Sequence, residues 1–117
     1  MQILTPRFTR GDGRPRDRLK LVEVLLDRGV DANVHDKKKK TPLHIASENG
    51  YLEVAQLLAD RGAVVNVRDN DNATPLHLAS QGGHPEVAQL LLNRGADLNA
   101  RDNDEQTNLH FACDFLM

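Results

Sequence analysis

The sequence predicts an all-α solenoid of stacked helix-turn-helix units with projecting hairpin loops, and three observations carry that expectation. The segment TPLHIASENGYLEVAQLLADRG (41–62) returns 33 residues later as TPLHLASQGGHPEVAQLLLNRG (74–95), with 15 of 22 positions identical. The stretch after each closing glycine keeps the same register, as DANVHD (31–36), VVNVRD (64–69) and DLNARD (97–102). Within each unit apolar residues recur at the i, i+3, i+4 spacing of a helix buried on one face. No such unit can cover its apolar face alone, so consecutive copies must stack.

The elements follow in chain order. Residues 1–18 match the repeat poorly: Thr5 and Pro6 stand where a first helix would open, but GDGRP (11–15) intervenes, and the segment reads as a degenerate N-terminal cap or leader. Counting back 33 from Val54, Leu57 and Leu58 lands on Leu21, Val24 and Leu25, which makes Leu19–Arg28 the second helix of a partial repeat (19–35) closed by Gly29. Two full repeats occupy 36–68 and 69–101, and a truncated one occupies 102–117. Thr41 and Thr74 are good N-caps, each followed by a proline at the first helical position, where no N–H is needed. Leu43 and Ala46, like Leu76 and Ala79, share one face, and Gly50 and Gly83 suit a left-handed helix end. The second helices expect to bury Val54, Leu57 and Leu58, and Val87, Leu90 and Leu91. The Asn- and Asp-rich stretches Ala63–Ala73 and Ala96–Gln106 read as projecting turns.

Composition removes several function classes. The chain has 117 residues, 39% apolar and 27% charged, enough for one small core or stack and too short for separate cofactor and substrate lobes. Aromatic residues make up 3%, which disfavours base-stacking nucleic-acid readers, and the net charge of −2 gives no global attraction to phosphate. Cys113 is the single cysteine, excluding an intramolecular disulfide framework or a CxxC site. No apolar run approaches the length of a membrane span, and no signal-peptide core opens the chain, so the expected location is cytoplasmic or nuclear, in a reducing compartment.

From Leu19 to Met117 the chain resembles the ankyrin repeat, on the residues TPLH at 41–44 and 74–77, TNLH at 107–110, the apolar LL pairs, and the glycine-led turns ending in Asn and Asp. The resemblance implies an ankyrin-repeat solenoid with no cofactor and no small-molecule substrate. It also implies binding of a partner protein through hairpin tips and the concave side of the first helices. Carried onto matching positions, that surface is His35, Lys37, Lys38, Lys40, Glu48 and Asn49 in one repeat and Arg68, Asn70, Asp71, Ala73, Gln81 and Gly82 in the next. In the truncated repeat it is Arg101, Asn103, Asp104, Gln106 and Asp114. His44, His77 and His110 would hydrogen-bond to the threonine cap and the neighbouring loop.

The residues that invite catalytic readings have structural ones beside them. His44, His77 and His110 lie in three different repeats at one register, as do Asp36, Asp69 and Asp102, so each serves its own unit; no nucleophile–base or metal-ligand spacing stands out. The tips differ in charge instead: KKKK (37–40) carries +4, NDNA (70–73) −1 and NDEQ (103–106) −2. Lys39, Asn72 and Glu105 stand where the resembling family favours glycine at positive φ, so the first and third tips are expected to be distorted or mobile. Two alternatives accompany the protein-binding expectation. One is a fragment of a larger chain that forms a homodimer through an apolar edge at Phe111, Phe115, Leu116 and Met117. The other is binding of an anion, nucleic acid or phosphoinositide, by Lys37 to Lys40 with the arginines of residues 7–18.

Overall fold

The computed structural model describes residues 15–107 and residue 109. Among these residues there are five helices and no strand: α1 (Pro15–Asp27), α2 (Pro42–Asn49), α3 (Leu52–Asp60), α4 (Pro75–Gly82) and α5 (Pro85–Asn93). The fold is the expected all-α helical repeat. The described residues fall into two compact units, one ending at Val30 and one starting at Asp31. The first unit contributes α1, which opens at Pro15, four residues before the expected Leu19, because that proline sits in the first turn with Asp17 beside the helix N-terminus.

In the second unit the helix ends form where the sequence places them. Thr41 and Thr74 adopt extended backbone and accept the N–H of His44 and of His77, while each histidine ring accepts its threonine's backbone N–H. This reciprocal pair satisfies two orphan donors at each helix start. Gly50 and Gly83 end the first helices in the left-handed conformation, with φ of 74° and 75°.

Packing follows the small residues. The first helix α2 lies along α4 and also against α3; α4 packs on α5, and α3 meets α5 more sparsely. Leu43, Ala46, Leu76 and Ala79 are buried on the first helices, as expected. On the second helices the buried set is Val54, Ala55 and Leu58 in α3 and Val87 and Leu91 in α5. The expectation that Leu57 and Leu90 share the core is corrected here: both are half-buried. The inward face of α3 runs through Val54, Ala55 and Leu58, which turns Leu57 towards the rim.

Two asparagines stitch successive loops together. The Asn33 amide donates to the Gly62 carbonyl at 3.1 Å and accepts the Val64 N–H at 2.7 Å. One repeat later Asn66 does the same to Gly95 and Asp97, at 3.1 and 2.7 Å.

Candidate functional site

Each projecting tip is built on one aspartate. Asp36 Oδ1 accepts the N–H groups of Lys38 and Lys40, both at 2.9 Å. Asp69 accepts those of Asp71 and Ala73 at 2.8 and 2.9 Å, and Asp102 those of Asp104 and Gln106 at 2.9 Å each. A carboxylate holding two N–H groups closes the loop as a side-chain turn. The carboxylate also holds the tight turn that places Lys39, Asn72 and Glu105 at φ of 63°, 60° and 61°. The three tips therefore share one geometry, and the distortion expected of the first and third is absent: two good hydrogen bonds per tip offset the modest cost of a left-handed non-glycine residue.

The tips are also tied to each other. The Asn70 N–H donates to the Lys38 carbonyl at 3.0 Å, and the Asn103 N–H to the Asp71 carbonyl at 2.9 Å. The Asn70 amide reaches the Lys37 carbonyl at 3.3 Å, the Asn103 amide reaches the Asn70 carbonyl at 3.3 Å, and the Asn72 amide donates to Asn103 Oδ1 at 2.8 Å. Arg68 donates to the carbonyls of Asn72 and Arg101, at 2.9 and 3.0 Å. The result is a ridge of three tips at fixed mutual positions.

Behind the ridge the histidines bridge repeats. The Thr41 backbone N–H donates to His44 Nδ1 at 3.0 Å, which leaves Nε2 as the protonated nitrogen, donating to the Ala73 carbonyl of the next repeat at 2.9 Å. His77 receives the Thr74 N–H at 2.9 Å and donates to the carbonyls of Ala100 and Gln106 at 3.0 and 3.2 Å. Burial pushes the His44 pKa below its ordinary 6.5, outweighing the Ala73 carbonyl, which favours the charged ring. His84 Nε2 donates to the Glu48 carbonyl at 3.0 Å, with its ring lying over Gly82. A Cβ at Gly82 would come within 2.9 Å of that same carbonyl, so Gly82 is set by the close approach of two helices.

Electrostatics separate Lys40 from its three neighbours. Its ammonium lies 3.4 Å from Asp69 Oδ2, with the two side chains 23% and 2% exposed. Burial raises the Asp69 pKa, but the N–H groups of Ala73 and Asp71 and the Lys40 ammonium outweigh it, so the carboxyl sits below its ordinary 3.8. Asp36 is likewise low, chiefly through the Lys40 N–H and against some desolvation. Lys40→Glu would set a carboxylate against a buried carboxylate, and we expect a loss of about 1–3 kcal/mol in urea denaturation. Lys37→Glu with Lys38→Glu is expected to stay within about 0.5 kcal/mol of the parent. Equal losses in the two variants would show that the Lys40–Asp69 pair adds nothing.

The sequence-derived surface residues thus divide. Lys40, Arg68, Asn70, Asn103 and Arg101 use their side chains within the ridge, the last on Glu105 at 3.4 Å. The His35 ring bonds the Asp36 carbonyl at 3.1 Å, and Asn49 donates to the Ile45 carbonyl at 2.9 Å. Ala73 is buried and Gly82 is fixed by packing. Lys37, Lys38, Glu48, Asp71, Gln81, Asp104 and Gln106 are exposed and, among the described residues, their side chains have no bonded partner. Two further residues belong with them. Lys39 is exposed with its ammonium unpaired among the described residues, and Ile45 is 44% exposed whereas Leu78 at the same register is 7% exposed. Spacing alone cannot see that difference, since both positions read as apolar.

Asp114, Cys113, His110 and the apolar set Phe111, Phe115, Leu116 and Met117 lie outside the described residues. Among the described residues no cluster of histidine, cysteine, aspartate or glutamate is placed to hold a metal ion, and no helix is long and apolar enough to cross a membrane. A family model described as ankyrin repeats (3 copies) matches residues 15–102 and 72–115. No curated protein matches the chain. Proteins built from such repeats are in general modules that bind other proteins and are generally non-catalytic.

Proposed function

We propose that this chain, which belongs to the ankyrin repeat family, is a non-catalytic module that binds another protein through its hairpin tips and the solvent-facing side of its first helices. The observation that supports this is a division of labour. The residues that recur every 33 positions are spent inside the stack, as His44 on Ala73 and Asp69 on its own tip. At registers that differ between copies, Lys38 against Asp71 and Asp104 and Glu48 against Gln81, the side chains are held at the surface with no bonded partner among the described residues. A rigid array of unspent polar side chains binds without having to order itself first, which lowers the entropic cost of association. The expected setting is a reducing intracellular compartment.

The test is affinity capture from a cell extract with the parent chain beside the variant Asp71→Lys, Gln81→Glu, Asp104→Lys, read by quantitative mass spectrometry. A protein held by the parent and lost by a variant of unchanged helical content is the expected result. Identical material on both baits would contradict the assignment of this face.

A further inference from the structure

We infer that the first tip receives an acidic segment of the partner that also carries an aliphatic side chain, a deepening that rests on the interaction-module reading above. Four lysines stand together in sequence, but the fold spends only one of them. Lys40 is committed to Asp69, and the carboxylate nearest the others, Asp36, is turned inward onto backbone N–H groups. Lys37, Lys38 and Lys39 are left as exposed ammoniums without an ion pair among the described residues.

Their placement is fixed on both sides. The Lys37 and Lys38 carbonyls accept from Asn70 of the second tip, and Lys39 is locked at φ 63°. One helical turn beyond Thr41, Ile45 presents an aliphatic surface on α2, whereas Leu78 at the matching position of α4 is buried. Positive charge on the tip together with an exposed aliphatic side chain on the first helix of the same repeat matches a segment in which carboxylates flank a leucine or isoleucine. Farther along the ridge Asp71 and Asp104 are carboxylates without an ion pair among the described residues, so an acidic stretch lying across those tips would meet repulsion. The ridge thereby fixes where along its length the acidic part sits, which is how charge patterns confer register rather than raw affinity. An extended polyanion of uniform charge would meet that repulsion at the second and third tips and has no aliphatic group to set against Ile45.

The structure supplies a variant that keeps the fold. Asn103, Asp104 and Glu105 occupy in the third tip the places of Lys37, Lys38 and Lys39, with the same turn and with Glu105 at φ 61°. Exchanging Lys37→Asn, Lys38→Asp and Lys39→Glu therefore replaces three ammoniums by two carboxylates while retaining Lys40 and Asp36. The experiment is fluorescence anisotropy of the whole chain with a fluorescein-labelled glutamate-rich peptide bearing one central leucine. The comparison probes are the leucine-to-serine peptide, single-stranded oligothymidylate, and vesicles containing phosphatidylinositol bisphosphate.

We expect the tip exchange to weaken the leucine peptide about tenfold or more, and the binding to fall as ionic strength rises to about 0.15 M. Ile45→Ser is expected to weaken the leucine peptide but leave the serine peptide unchanged. Oligothymidylate or vesicles binding as tightly as the peptide, with the same loss on tip exchange, would overturn the inference in favour of a general anion site. Failure of the folded parent chain to bind the peptide would overturn it as well. If the capture experiment still yields a protein lost on changing Asp71, Gln81 and Asp104, only the acidic-segment inference falls and the module reading stands.

Discussion

Leu58→Ala is expected to lower stability by about 2–5 kcal/mol, the range for emptying a packed leucine site whose neighbours relax only in part. Leu58 is 1% exposed, on the face of α3 that also buries Val54 and Ala55. A stack this small has few such anchors, chiefly Leu43, Leu58, Leu76 and Leu91. Each interface between repeats carries a large share of the total, so the loss falls on a marginal whole. Leu57→Ala serves as the internal control. That side chain is half-buried at the rim, and its truncation is expected to cost less than half as much. Urea denaturation of the two variants side by side is the measurement. A Leu58→Ala loss under about 1 kcal/mol, or equal losses at the two sites, would contradict the packing described for α3.

His44→Ala is expected to cost about 2–4 kcal/mol, for a different reason. The ring accepts the Thr41 N–H and donates to the Ala73 carbonyl, and both partners are buried. Truncation leaves the buried Thr41 N–H without its acceptor, worth about 1–3 kcal/mol, removes one of the two donors to the Ala73 carbonyl, which keeps the Asp69 N–H, and opens a cavity as well. The same bonds give a pH signature. Nδ1 is already filled by an N–H, so a second ring proton would point donor at donor, and burial opposes the charge further. The folded-state pKa therefore lies below 6.5. As pH falls, the unfolded chain takes up the proton first, so the His44 contribution is complete above about pH 6.5 and is lost as pH drops through the folded value. Asp36 and Asp69 act in a lower window: their pKa values lie below 3.8, so their contribution is complete above that pH and lost beneath it. The parent chain is expected to lose stability between about pH 7 and pH 5. His44→Ala is expected to show a flatter slope over that interval, and an identical slope in both proteins would contradict the neutral bridging role.

Much of the scaffold was legible because the repeat repeats its reasons. Thr41 and Thr74 cap because a threonine before a proline satisfies a helix start, and Gly50 and Gly83 end helices because the left-handed conformation is least strained for glycine. The bridging role of His44 and His77 followed from the family resemblance, and their distances bear it out. Periodicity could not say which of two adjacent leucines points inward, since Leu57 and Leu58 both fit an apolar stripe; the turn of α3 against its neighbours decides it. The tips were misjudged from residue type alone. Lys39 and Glu105 adopt the left-handed conformation because Asp36 and Asp102, three residues earlier, hold the surrounding N–H groups, a compensation that single-residue preference does not contain. Lys40 and Asn70 read as surface residues by position, yet both are spent between repeats, because an exposed register says nothing of which neighbour 29 or 33 residues away lies within reach.

The binding face itself is tested most directly by amide chemical-shift mapping. The 15N-labelled chain would be titrated with the protein recovered by the capture experiment, and shifts followed along both helix sets. The expected perturbations fall on the tips (35–40, 68–73 and 101–106) and on Ile45, Glu48 and Gln81 of the first helices, with α3 and α5 silent apart from their ends. Perturbations centred on α3 and α5, with the tips unmoved, would contradict the assignment and place the partner on the opposite side of the stack.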